Sequence, residues 1–107
     1  MTIEILYFEG CPNHEALLPH VREIAAAADI DIELRRVADL DAAMRERFLG
    51  SPTVRLDGED VEPGASERSD FGMKCRLYHA PDGLRGTPPD GWIRDAIDRA
   101  ARDRSPR

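Results

Sequence analysis

Apolar and polar positions along this chain alternate in two rhythms, and the switches between them mark out the elements. In residues 2–8, Ile3, Ile5 and Tyr7 fall on one side and Leu6 and Phe8 on the other, as in a central strand covered on both faces. The period then lengthens. In residues 12–28, Leu17, Val21, Ile24 and Ala28 recur at helical spacing, leaving Glu15, Arg22 and Glu23 for the outer face. Pro19 lies inside this helix and cannot donate to the carbonyl four residues back, which predicts a kink over residues 15–18 rather than two helices. Ile30, Ile32 and Leu34 alternate with Asp31, Glu33 and Arg35, the pattern of an edge strand with one buried face. The economical arrangement of these three elements is a parallel βαβ unit.

The next helix is short: Asp39 or Asp41 caps it, residues 42–49 fill it and Gly50 stops it. Ser51-Pro52-Thr53 leads into Val54 and Leu56, and Asp57-Gly58 signals a hairpin between antiparallel strands 53–57 and 59–62. Residues 65–86 read as irregular, with one apolar island at Cys75-Arg76-Leu77-Tyr78 that predicts a short extra strand. Thr87-Pro88-Pro89-Asp90 reads as a capping box with proline at the first helical position, opening a helix whose apolar face is Trp92, Ile93, Ala96, Ile97 and Ala100. Residues 102–107 are expected to form a flexible tail. The pattern therefore predicts one α/β domain over residues 1–101, with an irregular stretch at 65–88 before the last helix.

At 107 residues the chain can bury a single core without obligatory disulfides or metals. Its 21 acidic residues outnumber its 15 basic ones, so the domain lacks a nucleic-acid footprint. No apolar run approaches membrane-spanning length, and residues 1–4 have neither a basic leader nor an apolar core, so a cytoplasmic protein with no membrane partner is expected. In a reducing compartment, two cysteines point to catalysis, redox sensing or metal binding more than to a structural bridge. There is no Gly-rich phosphate loop, and no carboxylate spacing isolates an acid–base pair. No cofactor is expected, and oligomeric state is not legible.

Cys11 is the first candidate for chemistry. It stands between the first strand and the first helix, where the helix N–H groups and dipole favour a thiolate over the ordinary thiol pKa of about 8.5. A free cysteine there also serves as a small buried hydrophobe. His14, one helical turn on, offers a positive charge that would lower the Cys11 pKa, or simply a solvated side chain. Cys11-x-x-His14 and Cys75-x-x-x-His79 together supply two thiols and two imidazoles, a set compatible with tetrahedral zinc if helix and loop bring them to one point.

The order strand, Cys-x-x, helix, strand, helix, X-Pro-Thr, hairpin, helix resembles the thioredoxin/glutaredoxin superfamily over residues 2–62 and 92–101. Cys11-Pro12-Asn13-His14 stands where that family has Cys-x-x-Cys, and Ser51-Pro52-Thr53 where it has its cis-proline loop. The resemblance implies a four-stranded mixed sheet with flanking helices, in βαβ-α-ββ-α order. It also implies that Cys11 is the attacking thiolate and that Pro52 is cis and packs beside it. Pro12, Ser51, Pro52 and Thr53 would then receive a thiol or disulfide substrate, with the Ser51 backbone offering strand-like hydrogen bonds. The chain departs from the family at His14, which cannot resolve a mixed disulfide. Either an external thiol does so, or Cys75 replaces the missing partner, because the second hairpin strand returns the chain to the Cys11 end and the insertion is long enough to cover it. Phe48-Leu49-Gly50-Ser51-Pro52-Thr53, Asp60-Val61-Glu62-Pro63-Gly64 and Cys75-Arg76-Leu77-Tyr78 also look like a group of small bacterial thioredoxin-like proteins of poorly defined role, some associated with mercury or other thiophilic metals.

Three functions remain open on these residues. The first is thiol–disulfide exchange through Cys11, with His14 and Cys75 in support. The second is metal binding through Cys11, His14, Cys75 and His79. The third is a redox-inactive module that holds a partner beside Pro52.

Overall fold

The computed structural model describes residues 1–104, folded as a mixed α/β domain. Strand β1 (Thr2–Tyr7) leads into helix α1 (Asn13–Ala28), strand β2 (Asp31–Arg36), helix α2 (Leu40–Arg45) and the hairpin of β3 (Thr53–Leu56) and β4 (Glu59–Asp60). A second hairpin, β5 (Tyr78–Ala80) and β6 (Gly83–Arg85), precedes helix α3 (Asp90–Arg104). The main sheet has the order β2-β1-β3-β4, with β1 parallel to β2 and antiparallel to β3.

The two apolar sides of β1 explain its central place. Ile3 and Ile5 join Leu17, Val21 and Ile24 of α1, Val54 and Leu56 of β3, and Ile93 of α3 in the larger core. Leu6 points the other way, into a second cluster with Val37, Ala43 and Phe48. Helices α1 and α3 thus cover one face and α2 the other. β2 lies at the edge as expected, although Leu34 on it is largely exposed.

Several boundaries differ from the sequence pattern. Pro12 precedes α1 as its N-cap residue instead of entering the first turn. Ala28 is exposed and Ala25, one turn after Val21, is buried in its place; α1 ends at Asp29, which has left-handed φ 56°. Helix α1 continues through Pro19. Asp39 caps α2 by accepting the Ala42 N–H (2.8 Å). The helix then stops well before Gly50: Arg47 turns left-handed (φ 54°), and the Phe48 N–H reaches back to the Ala43 carbonyl (2.9 Å). This six-to-one closure lets Phe48 pack on Ala43. Residues 65–88 are more ordered than expected, with a 3-10 turn at Ala65–Glu67 besides the second hairpin. Both prolines before α3 stay outside it, and the Trp92 N–H bonds to the Pro89 carbonyl (3.0 Å). Of the expected tail, Arg102 to Arg104 continue α3, and residues 105–107 lie outside those described. No helix among the described residues is long and apolar enough to cross a membrane.

Candidate functional site

β1 delivers the chain to Cys11 at the edge of the buried sheet, and β3 begins beside it, since Leu6 pairs with Thr53. Asp57 and Gly58, both at positive φ (50° and 88°), reverse β3 so that β4 returns toward the Cys11 end. From there residues 61–76 bring Cys75 onto the site. The Cys75 Sγ lies 3.2 Å from the Cys11 Sγ, and both cysteines are free. Their exposures are opposite: Cys11 is 1% accessible, while Cys75 is exposed.

The cover over Cys11 is held by backbone hydrogen bonds around a single parallel bridge. The Ser51 N–H donates to the Lys74 carbonyl (2.8 Å), the Arg76 N–H donates to the Ser51 carbonyl (2.9 Å), and the Gly72 N–H donates to the Phe48 carbonyl (3.0 Å). Residues 72–76 therefore run parallel to residues 48–51, and Cys75 stands opposite Ser51. The Ser51 to Pro52 peptide is cis, and Ser51, Pro52 and Thr53 are all buried. The Ser51 backbone groups are both engaged within the chain. Its Oγ accepts the Phe8 N–H (3.4 Å), and the Tyr78 hydroxyl donates to the Pro52 carbonyl (2.5 Å). Pro12 is exposed.

Arg76 fastens this cover, a role that its neighbours in the sequence do not announce. Its buried guanidinium donates to the Asp60 carboxylate (2.7 and 3.1 Å), to Glu62 (2.8 Å) and to the Thr53 hydroxyl (3.1 Å), and it lies 4.3 Å from the Tyr78 ring centre. Burial works against its charge, but the Asp60 and Glu62 carboxylates outweigh that cost and raise its pKa. Burial raises the Tyr78 pKa, keeping the hydroxyl protonated as the donor to Pro52. The only sequence signal for Arg76 was an arginine inside the one apolar island of the insertion, which a solvated loop would not need.

His14 acts on the backbone. Its Nδ1 donates to the Cys11 carbonyl (2.6 Å), since a carbonyl can only accept, and its ring stacks on Tyr7 at 4.4 Å. The hydrogen bond of the Cys11 thiol is to the Ser51 carbonyl (3.5 Å). For Cys75, the hydrogen bond to Cys11, then partial burial, then the Cys11 charge all push its thiol above the ordinary pKa. His79 is exposed on β5 and lines a surface pocket with Glu62, Arg68 and Trp92. Among the described residues, no group of three or more His, Cys, Asp or Glu side chains gathers to hold a metal ion. The structure thus brings together Cys11, Cys75 and Ser51, with His14 on the Cys11 backbone.

Comparison with known proteins finds no match: no family model, no curated protein and no solved structure.

Proposed function

We propose that this chain is a thiol–disulfide oxidoreductase of thioredoxin-like architecture whose working pair is Cys11 and Cys75. The observation that carries the reading is the approach of two thiols, 64 residues apart in sequence, to 3.2 Å at the junction of β1, β3 and the cis-proline loop. Closing a disulfide, with sulfurs about 2.05 Å apart, asks the two groups to move together by only about 1 Å from their 3.2 Å separation. The second thiol also supplies what His14 cannot, an internal group to resolve a mixed disulfide. In the exchange, the dithiol gives two electrons and two protons to an outside disulfide, which becomes two thiols, while the sulfurs of Cys11 and Cys75 join. The cytoplasm is the compartment this activity fits, because a reducing pool keeps such a pair cycling.

The test is intact mass of the denatured protein after equilibration with a mixture of oxidised and reduced glutathione. A species two hydrogens lighter, returned to full mass by reductant, is expected. A chain that keeps its full mass under oxidising conditions refutes the dithiol reading. One observation favours a second reading, a redox-silent binding module: the near-complete burial of Cys11. Such a module would hold its partner away from Ser51, whose pairing positions are filled, and would give that unchanged mass.

A further inference from the structure

Building on that dithiol reading, we infer that Cys75, rather than Cys11, is the sulfur that exchanges with the outside partner, a low-molecular-weight thiol or disulfide, and that Cys11 acts inside the molecule as the resolving thiol. The sequence assigns the opposite roles, because a thiol before a helix looks like the nucleophile. Access decides otherwise and outweighs the contact with Cys11 that raises the Cys75 thiol pKa and so slows its attack. An incoming sulfur must touch the sulfur it attacks, and Cys11 is 1% accessible while Cys75 is exposed. Cys11 has the Ser51 carbonyl on one side (3.5 Å) and the Cys75 sulfur on another (3.2 Å).

The cover is also firmly attached. Residues 74 and 76 occupy both backbone pairing positions of Ser51. An extended polypeptide would need those positions to add a strand there. The Arg76 guanidinium, with a side chain 0% exposed, is tied to Asp60 and Glu62 by bonds of 2.7 and 2.8 Å, so lifting the segment would strip a buried cation from two carboxylates. A small partner needs neither movement, since it reaches Cys75 from solvent.

The exchange balances in both directions. An outside thiolate attacks the Cys75 sulfur of the protein disulfide; the bond to Cys11 breaks, and Cys11 leaves as a thiolate and takes up a proton. A second outside thiolate attacks the outside sulfur of the mixed disulfide, releasing the small disulfide and Cys75, which is reprotonated. Two thiols have become one disulfide and the protein disulfide has become a dithiol. Run backwards, Cys75 attacks the small disulfide, and Cys11 then attacks Cys75 to expel the second thiol.

The test begins with folded, reduced wild-type protein pulsed with N-ethylmaleimide, quenched in acid and mapped by peptide mass. Cys75 is expected to take the label at least tenfold faster than Cys11. Oxidised glutathione is then applied to wild type, Cys11→Ser and Cys75→Ser. Wild type should close its disulfide, Cys11→Ser should keep one glutathione on Cys75, and Cys75→Ser should stay unmodified at least tenfold longer. Labelling of Cys11 first, or at an equal rate, in wild type that does close the disulfide overturns the role assignment alone, and needs no variant to fold. Wild type that never closes it overturns both the assignment and the dithiol reading. Faster oxidation by the disulfides of insulin than by glutathione at equal concentration overturns the small partner.

Discussion

At Gly50, φ is 124°, and a Cβ there would sit 2.9 Å from the Lys74 carbonyl oxygen and 3.0 Å from the Arg76 Cβ. Both facts demand glycine: an L side chain is strained at that φ, and the colliding atom is backbone that cannot swing away. Gly50→Ala should therefore cost about 1–3 kcal/mol in urea unfolding. It should also speed maleimide labelling of Cys11 in the folded protein. Unchanged Cys11 protection would mean that something other than the 72–76 segment buries it. In the sequence Gly50 was visible only as a helix stop, a task that Arg47 in fact performs at φ 54°. Cys11 was legible because strand, cysteine and helix are adjacent in sequence. The bond from His14 to the Cys11 carbonyl was not, since a histidine three residues after a cysteine suits the thiol or the carbonyl equally well.

Among the elements, those built on local signals were the readable ones. β1, α1 and the Asp57-Gly58 turn follow from periodicity and turn chemistry within a few residues of themselves. The 72–76 segment does not, because its partners are Phe48 and Ser51, and nothing local distinguishes a bridged segment from a free loop. Arg76 holds that segment, and removing one member of a buried ion cluster leaves the others uncompensated. Arg76→Met should lower stability by about 3–5 kcal/mol, because the Asp60 and Glu62 carboxylates lose their common partner. Arg76→Lys keeps the charge but not the fork, and one ammonium cannot reproduce contacts to Asp60, Glu62 and Thr53 together, so its loss should be intermediate. Denaturant unfolding of the reduced proteins measures both. Equal stability of wild type and Arg76→Met would show that the cluster is no anchor.

For the molecule as a whole, the decisive event is the meeting of two thiols from separate loops, one after β1 and one between β4 and β5, and its consequence can be weighed. A bridge across the 64-residue separation removes loop-closure entropy from the unfolded chain. On the chain-entropy model, a loop of that length gives about 4 kcal/mol of stabilisation, reduced by whatever strain the folded state carries. The same quantity acts on the bond, since a disulfide that stabilises the fold is itself stabilised by folding. At about 30 mV for each 1.4 kcal/mol, the full effect would lower the reduction potential by roughly 85 mV relative to the same pair in the unfolded chain. If the pair exchanges as proposed, its disulfide must stay reducible by small thiols, so the folded protein should realise much less than this. The oxidised form is expected to exceed the reduced form by about 1–2 kcal/mol in guanidinium unfolding, below the entropic limit for the loop. A gain at the full limit would mark the bridge as a structural staple, stable against the partners that an oxidoreductase needs. A modest gain, with Cys75 exposed and the Arg76 cluster holding the segment when the bond is open, would let the fold survive both oxidation states.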